Sequence, residues 1–133
     1  MKRWPLGVLW AFAVMYVVVG VGFIVDTPGL WTHVGVPLGT PNALVDVRAI
    51  YGGLDLGLGL ALVYCARTPG GRTAGLAISA LTFAGIALTR SAGLLHDGVE
   101  GNLPFGLLTI EASGALIAAL AWRAQARFER ATR

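Results

Sequence analysis

Residues 46–67, DVRAIYGGLDLGLGLALVYCAR, decide the fold, because they combine an apolar run with charged side chains. The stretch is long enough to cross the hydrocarbon core of a bilayer as a helix, which takes about 20 residues. Arg48 and Asp55 lie inside it, and a charge facing lipid at mid-membrane is unfavourable by at least ~3 kcal/mol. We therefore expect these two side chains to face the protein interior.

The composition of the whole chain agrees with a membrane protein. Of 133 residues, 56% are hydrophobic and 13% are charged, about half the charged share of a typical soluble domain. The mean hydropathy is +0.71. We predict one integral membrane domain over residues 1–133. A net charge of +3 would suggest nucleic acid as a partner of a soluble protein, but here we expect none, because the basic residues follow the membrane pattern described below.

Four apolar stretches predict an all-α, four-helix transmembrane bundle. The predicted helices cover about 5–25, 44–66, 73–95 and 103–122, and a basic tail covers 123–133. The first stretch could instead be a signal peptide. Its apolar run is too long for that, and no small-residue cleavage site follows, so a retained helix is favoured.

The basic residues predict the orientation. If four helices cross the membrane, eight Lys and Arg residues fall on one side, and the loops of the other side have none. These eight are Lys2, Arg3, Arg67, Arg72, Arg123, Arg127, Arg130 and Arg133. By the positive-inside rule both termini are cytoplasmic, which predicts a multi-pass protein of the inner (plasma) membrane. The basic tail is expected to lie near anionic headgroups, with partner docking as the alternative.

Four ionisable residues lie within the predicted helices. Arg48 and Asp55 are seven residues apart, two helical turns, and therefore share a face. Helices three and four add Arg90 and Glu111, and all four residues fall in the outer half of the membrane. We expect them to gather in the bundle interior, with neighbouring small residues leaving room for a cavity. Those small residues are Gly52, Gly59, Gly114 and Ala115.

Three functions are compatible with this arrangement. The leading one is binding of a small amphipathic or lipophilic molecule in an outward-opening pocket, with Arg48 and Arg90 holding its polar end. The second is a membrane enzyme, an isomerase, hydrolase or cyclase, in which Asp55 or Glu111 is the acid or base. The third is a structural subunit in which the charges only fix the helix register. In that case the Gly53–Gly57 pair could also form a homo-oligomer contact.

The sequence does not indicate a cofactor. His33, His96, Asp97 and Glu100 lie in the predicted outer loops, but their spacing matches no metal-ligand or haem motif, and we expect a solvated loop without metal. Cys65 is the single cysteine, so no CxxC pair and no intrachain disulfide can form.

The stretch DVRAIYGGLDLGLGL, followed by an arginine late in helix three and a glutamate in helix four, resembles a family of small bacterial four-helix membrane proteins of unknown function. Its layout is similar to that of DoxX-like proteins. The resemblance implies signature positions at Arg48, Tyr51, Gly52 and Gly53, followed by Arg90 and Glu111, and it implies a fold and a location but no activity. We place Tyr51 and Gly52 beside the ligand in the binding hypothesis. Some DoxX-like proteins are linked to quinone or thiol redox chemistry, and the lone Cys65 departs from a dithiol role.

Overall fold

The protein is mostly helical in the part that this computed structural model describes, residues 3–35, 37–98 and 101–132. Within these ranges there is no β-strand. Four helical stretches are long and apolar enough to cross a membrane: Trp4–Val25, Pro41–Arg67, Pro69–His96 and Leu103–Ala131. The predicted fold class, all-α with four membrane-spanning helices, is therefore confirmed. The orientation of the termini stays a prediction, and Lys2, Glu100 and Arg133 lie outside the described residues.

The helical elements depart from the predicted ranges at three places. They are α1 (Trp4–Val25), α2 (Thr27–Thr32), α3 (Pro41–Val47), a π-helical segment (Arg48–Leu54), α4 (Asp55–Arg67), a 3-10 turn (Pro69–Gly71), α5 (Arg72–His96) and α6 (Leu103–Ala131). The second spanning stretch begins at Pro41 instead of 44 and contains an unpredicted π-helical segment, and α2 was not predicted. Asp26 caps α2 by accepting a hydrogen bond from the Gly29 amide at 3.0 Å.

The helices form two compact units. The α1–α4 unit comprises Trp10–Tyr64, and the α5–α6 unit comprises Met1–Leu9 with Cys65–Arg133. Each unit holds one arginine and one carboxylate of the four that the sequence singled out.

In the α1–α4 unit, glycines bring two antiparallel helices into backbone contact. A Cβ placed on Gly20 of α1 would lie 2.8 Å from the Cα of Leu56, and one placed on Gly59 would lie 2.7 Å from the amide nitrogen of Val17. Real Cβ atoms do not approach a backbone so closely, so these positions need glycine. The glycine-rich sequence is explained here by helix contact.

In the α5–α6 unit, two long antiparallel helices share an interface of small residues. The buried residues of α6 follow one another at intervals of three and four: Glu111, Gly114, Ala118, Ala121 and Gln125. This is the spacing of a coiled-coil seam. The ring of Phe83, a buried residue of α5, occupies the space beside Gly114, where an added Cβ would lie 2.6 Å from the ring.

Candidate functional site

Arg90 and Glu111 form a two-pronged ion pair within the α5–α6 unit. The Nε of Arg90 donates to Oε2 of Glu111 at 2.7 Å, and Nη2 donates to Oε1 at 2.5 Å. Glu111 is buried, and Arg90 is half-buried. Parallel N–H···O bonds between a guanidinium and a carboxylate are among the strongest side-chain hydrogen bonds. One arginine and one carboxylate of the four predicted to gather therefore do meet, a pairing that the sequence left open.

Arg48 is held differently, by a neutral side chain. Its Nε donates to the hydroxyl of Thr27 at 3.1 Å, and the Thr27 hydroxyl in turn donates to the carbonyl of Phe23. Thr27 is fully buried, whereas Arg48 is exposed. Among the described residues of the α1–α4 unit, the two terminal nitrogens of Arg48 make no hydrogen bond. The guanidinium is thus oriented through one nitrogen, with its terminal fork open.

The π-helical segment changes the register that the sequence predicted. An α-helical spacing of seven residues would have put Arg48 above Asp55, but the backbone from Arg48 to Leu54 is π-helical. A π-helix bonds residue i to i+5, so each turn holds more residues and the side chains rotate relative to an α-helix. Arg48 is therefore exposed and bonded to α2, while Asp55 is half-buried.

The same segment brings Tyr51 into an aromatic cluster. Its ring centroid lies 5.4 Å from that of Phe23 and 5.3 Å from that of Trp31, and the Phe23 and Trp31 centroids are 6.5 Å apart. These are favourable aromatic distances. Because Thr27 and Trp31 lie four residues apart on α2, they meet Arg48 and Tyr51 along one side of that short helix. Trp31 was not among the site residues that the sequence predicted.

Asp55 has no such bonded partner in its own unit. Among the described residues of the α1–α4 unit it makes no hydrogen bond or ion pair, but it lies close enough to the buried Tyr16 of α1 for the two side chains to interact electrostatically. Glu111 is the carboxylate with an arginine partner. Tyr16 was not among the site residues that the sequence predicted.

The expectation that glycines leave a cavity beside the charges is wrong at three positions. Gly52 is buried against Ile24, whose Cγ1 would lie 2.8 Å from an added Cβ, and Gly59 and Gly114 are filled as described above. At these glycines, atoms of the facing helix occupy the space in which a side chain would lie. Gly53, by contrast, has no atom within 4 Å of an added Cβ, and the same holds for Gly57.

A shallow depression lies instead along α5. It encloses about 500 Å³ and has Arg90 at one end. Its lining residues are Leu81, Thr82, Gly85, Ile86, Thr89 and Arg90. The lining is mostly apolar, so this surface suits a hydrocarbon chain more than a hydrated ion.

The predicted loop residues do not form a metal centre in the described chain. His96 Nδ1 lies 3.0 Å from Oδ1 of Asp97, and both side chains are exposed. No group of three His, Cys, Asp or Glu side chains comes together within residues 3–35, 37–98 and 101–132. Glu100 lies outside those ranges, so its predicted place in the loop stays a prediction.

These features define a class: an all-helical chain with four membrane-spanning helices and arginines and carboxylates placed inside them. The gathering of all four charges at one spot would involve both units and stays a prediction. A family model, the domain of unknown function DUF4345, matches residues 6–122. The chain therefore belongs to the DUF4345 family. No curated protein and no solved structure matches the chain.

Proposed function

We propose that this protein binds a small amphipathic or lipophilic molecule within the membrane and that Arg48 holds the polar end of that molecule. The observation that carries the proposal is the open guanidinium fork of Arg48, which lies inside a membrane-spanning stretch. The apolar part of the ligand lies against the neighbouring helices, and the pocket opens toward the side predicted to be outside.

The geometry of Arg48 supports an anionic or strongly polar ligand group. A guanidinium presents its N–H groups in a rigid fork that matches a carboxylate or a phosphate with two parallel hydrogen bonds. Thr27 takes up only Nε, so the fork keeps its orientation without losing its terminal donors. A positive charge in this position, bonded to a neutral hydroxyl, favours an incoming anion.

The surroundings of Arg48 support an apolar or aromatic body for the ligand. Tyr51, three residues beyond Arg48, makes an edge-to-face contact with Trp31 of α2. Irregular π-helical turns occur frequently at functional sites, because they displace side chains from the regular register. Here the π-helical segment carries both Arg48 and Tyr51 together with the buried Gly52.

Arg90 belongs to the proposal as a second ligand-binding residue, in the α5–α6 unit. Its guanidinium is bonded to Glu111, yet 30% of its side chain is exposed at the end of the depression along α5. A paired arginine can still donate to a ligand through an N–H that its carboxylate does not use. Its contribution should be smaller than that of Arg48.

The test is native mass spectrometry of the full chain purified in mild detergent, followed by identification of the released small molecules. The wild-type protein should carry a bound molecule, and Arg48→Gln should lose it. Arg67→Gln is the matched control, because it removes the same charge from the other end of the same spanning stretch and should keep the molecule. A wild-type protein without bound molecules, or equal retention by Arg48→Gln, would overturn the proposal.

A second candidate function is acid–base catalysis on a lipophilic substrate, and Asp55 favours it. A carboxylate without a bonded partner in its unit, beside a buried tyrosine, has the features of a general acid or base in a dry site. Once the bound molecule is identified, wild type should convert it on incubation, and Asp55→Asn should hold it unchanged. Released molecules from the two proteins that are identical in mass, chromatographic retention and fragmentation would rule out this activity, whereas mass alone would miss an isomerisation.

A further inference from the structure

The last part of α6 extends beyond what a membrane crossing needs. The helix runs for 29 residues, Leu103–Ala131. At 1.5 Å per residue this is about 43 Å, whereas the hydrocarbon core is about 30 Å thick. A crossing that starts at Leu103 ends after about 20 residues, at Trp122, a residue type enriched at the membrane interface. The remaining turns therefore run through the headgroup layer on the side predicted to be cytoplasmic.

Three arginines share one face of this extension. Arg123, Arg127 and Arg130 are spaced by four and three residues, and all three are exposed. None makes a hydrogen bond or an ion pair with a residue in the described chain. With Trp122 and Ala126 they line a depression of about 420 Å³. Like charges at these spacings repel one another, so the face favours a bound anion.

The nearby carboxylate does not neutralise the arginines. Glu129 accepts a hydrogen bond at 3.0 Å from the buried Gln125. The helix dipole also gives an incomplete explanation, since it favours cations only within the last turn, where Arg130 lies. Arg123 and Arg127 lie further back, and the positive-inside rule accounts for their side of the membrane but not for their common face.

We infer that Arg123, Arg127 and Arg130 form a binding site for the phosphate of an anionic phospholipid. Arginine forks match phosphate oxygens in geometry and charge. The headgroup phosphates of the adjacent leaflet lie at the depth of the first turns beyond Trp122, and the apolar face of the same helix continues into the acyl chains. This inference does not depend on the proposed role of Arg48.

The experiment compares lipid retention by the full-length protein in native mass spectrometry. Phosphatidylglycerol and phosphatidylcholine with the same acyl chains are added in equal amounts. Wild type should retain phosphatidylglycerol preferentially, and Arg127→Gln should lower that preference about tenfold. Arg127→Lys keeps the charge but loses the fork, so its preference for phosphatidylglycerol should lie between those of wild type and Arg127→Gln.

Arg3→Gln is the matched control, because it removes one exposed positive charge predicted to lie on the same side of the membrane. It should change the lipid preference by less than about twofold if Arg127 belongs to a site. Equal losses in Arg3→Gln and Arg127→Gln would mean general surface attraction and overturn the inference. So would unchanged retention in Arg127→Gln, the result expected if this face bound a soluble protein instead.

Discussion

Replacing Glu111 by glutamine tests the ion pair of the α5–α6 unit most directly. The change removes the negative charge and leaves one oxygen that can still accept a hydrogen bond from Arg90. Breaking a buried pair by removing one partner costs about 3–5 kcal/mol. The side chain of Arg90 is 30% exposed, so solvent screens part of this, while that of Glu111 is only 11% exposed. We expect Glu111→Gln to lower the free energy of unfolding by about 2–3 kcal/mol.

The double variant Arg90→Met/Glu111→Leu should be far less harmful than either single replacement. Each single variant, Arg90→Met or Glu111→Leu, leaves one charge without its partner. The double variant has none and places two apolar side chains in an apolar environment, a change that is often neutral for buried pairs. Its unfolding free energy should lie within about 1 kcal/mol of wild type, which gives a coupling of at least about 2 kcal/mol.

The assay is unfolding by a denaturing detergent in mixed micelles, followed by circular dichroism. Thr109→Val, an exposed substitution on the same helix as Glu111, is the control and should leave the unfolding midpoint unchanged. Additive effects of the two single variants would refute the reasoning, because they would mean that the two side chains do not depend on each other. A loss of unfolding free energy below about 0.5 kcal/mol in Glu111→Gln would also refute the reasoning, because exposed ion pairs contribute about that much.

Three further substitutions, and one control, follow from the α1–α4 unit and use the same unfolding assay. Gly20→Ala should destabilise by about 1–3 kcal/mol, because its Cβ would lie 2.8 Å from a backbone atom of the facing helix. Gly57→Ala is the control, because open space surrounds this position, and it should be neutral or stabilise by up to about 1 kcal/mol. Equal changes in unfolding free energy for Gly20→Ala and Gly57→Ala would contradict the close packing of α1 against α4. Thr27→Val should cost about 1–2 kcal/mol because Arg48 loses its acceptor, and an unchanged midpoint would mean that this hydrogen bond is not formed. Trp31→Phe should cost less than about 1 kcal/mol, since its buried indole N–H has no hydrogen-bond partner in the described chain; a larger loss would point to a partner that the indole does use.

The fold could be predicted from the sequence because hydrocarbon imposes a simple rule on composition. Apolar runs of about 20 residues separated by Pro and Gly turns locate four helices, whatever their side chains contact. The same rule predicted that arginines and carboxylates inside the helices meet one another, but not that Glu111 is the carboxylate that pairs with Arg90.

The details of the α1–α4 unit could not be predicted, because they depend on backbone geometry. The π-helical segment from Arg48 to Leu54 has no periodicity signal of its own, and it removed the shared face of Arg48 and Asp55. The prediction that Gly52 and Gly59 leave room for a cavity was wrong for a similar reason. A glycine is compatible with a cavity and with a close helix approach, and only the position of α1 decides between them. Thr27 was missed, although Asp26 and Pro28 form a recognisable helix start.

The two membrane arginines differ in what explains their charge. Glu111 compensates the charge of Arg90, so that arginine is tolerated inside the helix without a ligand. Arg48 lies about 10 Å along the spanning stretch from Pro41, near enough for a free side chain to reach the interface. Instead its Nε is bonded to the buried Thr27, which restricts the side chain. Arg48→Lys separates the two explanations, because a lysine can reach water equally well but has no fork. If Arg48→Lys fully retains the co-purified molecule, the role of Arg48 is only to extend its charge to the interface. If Arg48→Lys loses the molecule, the guanidinium fork recognises it.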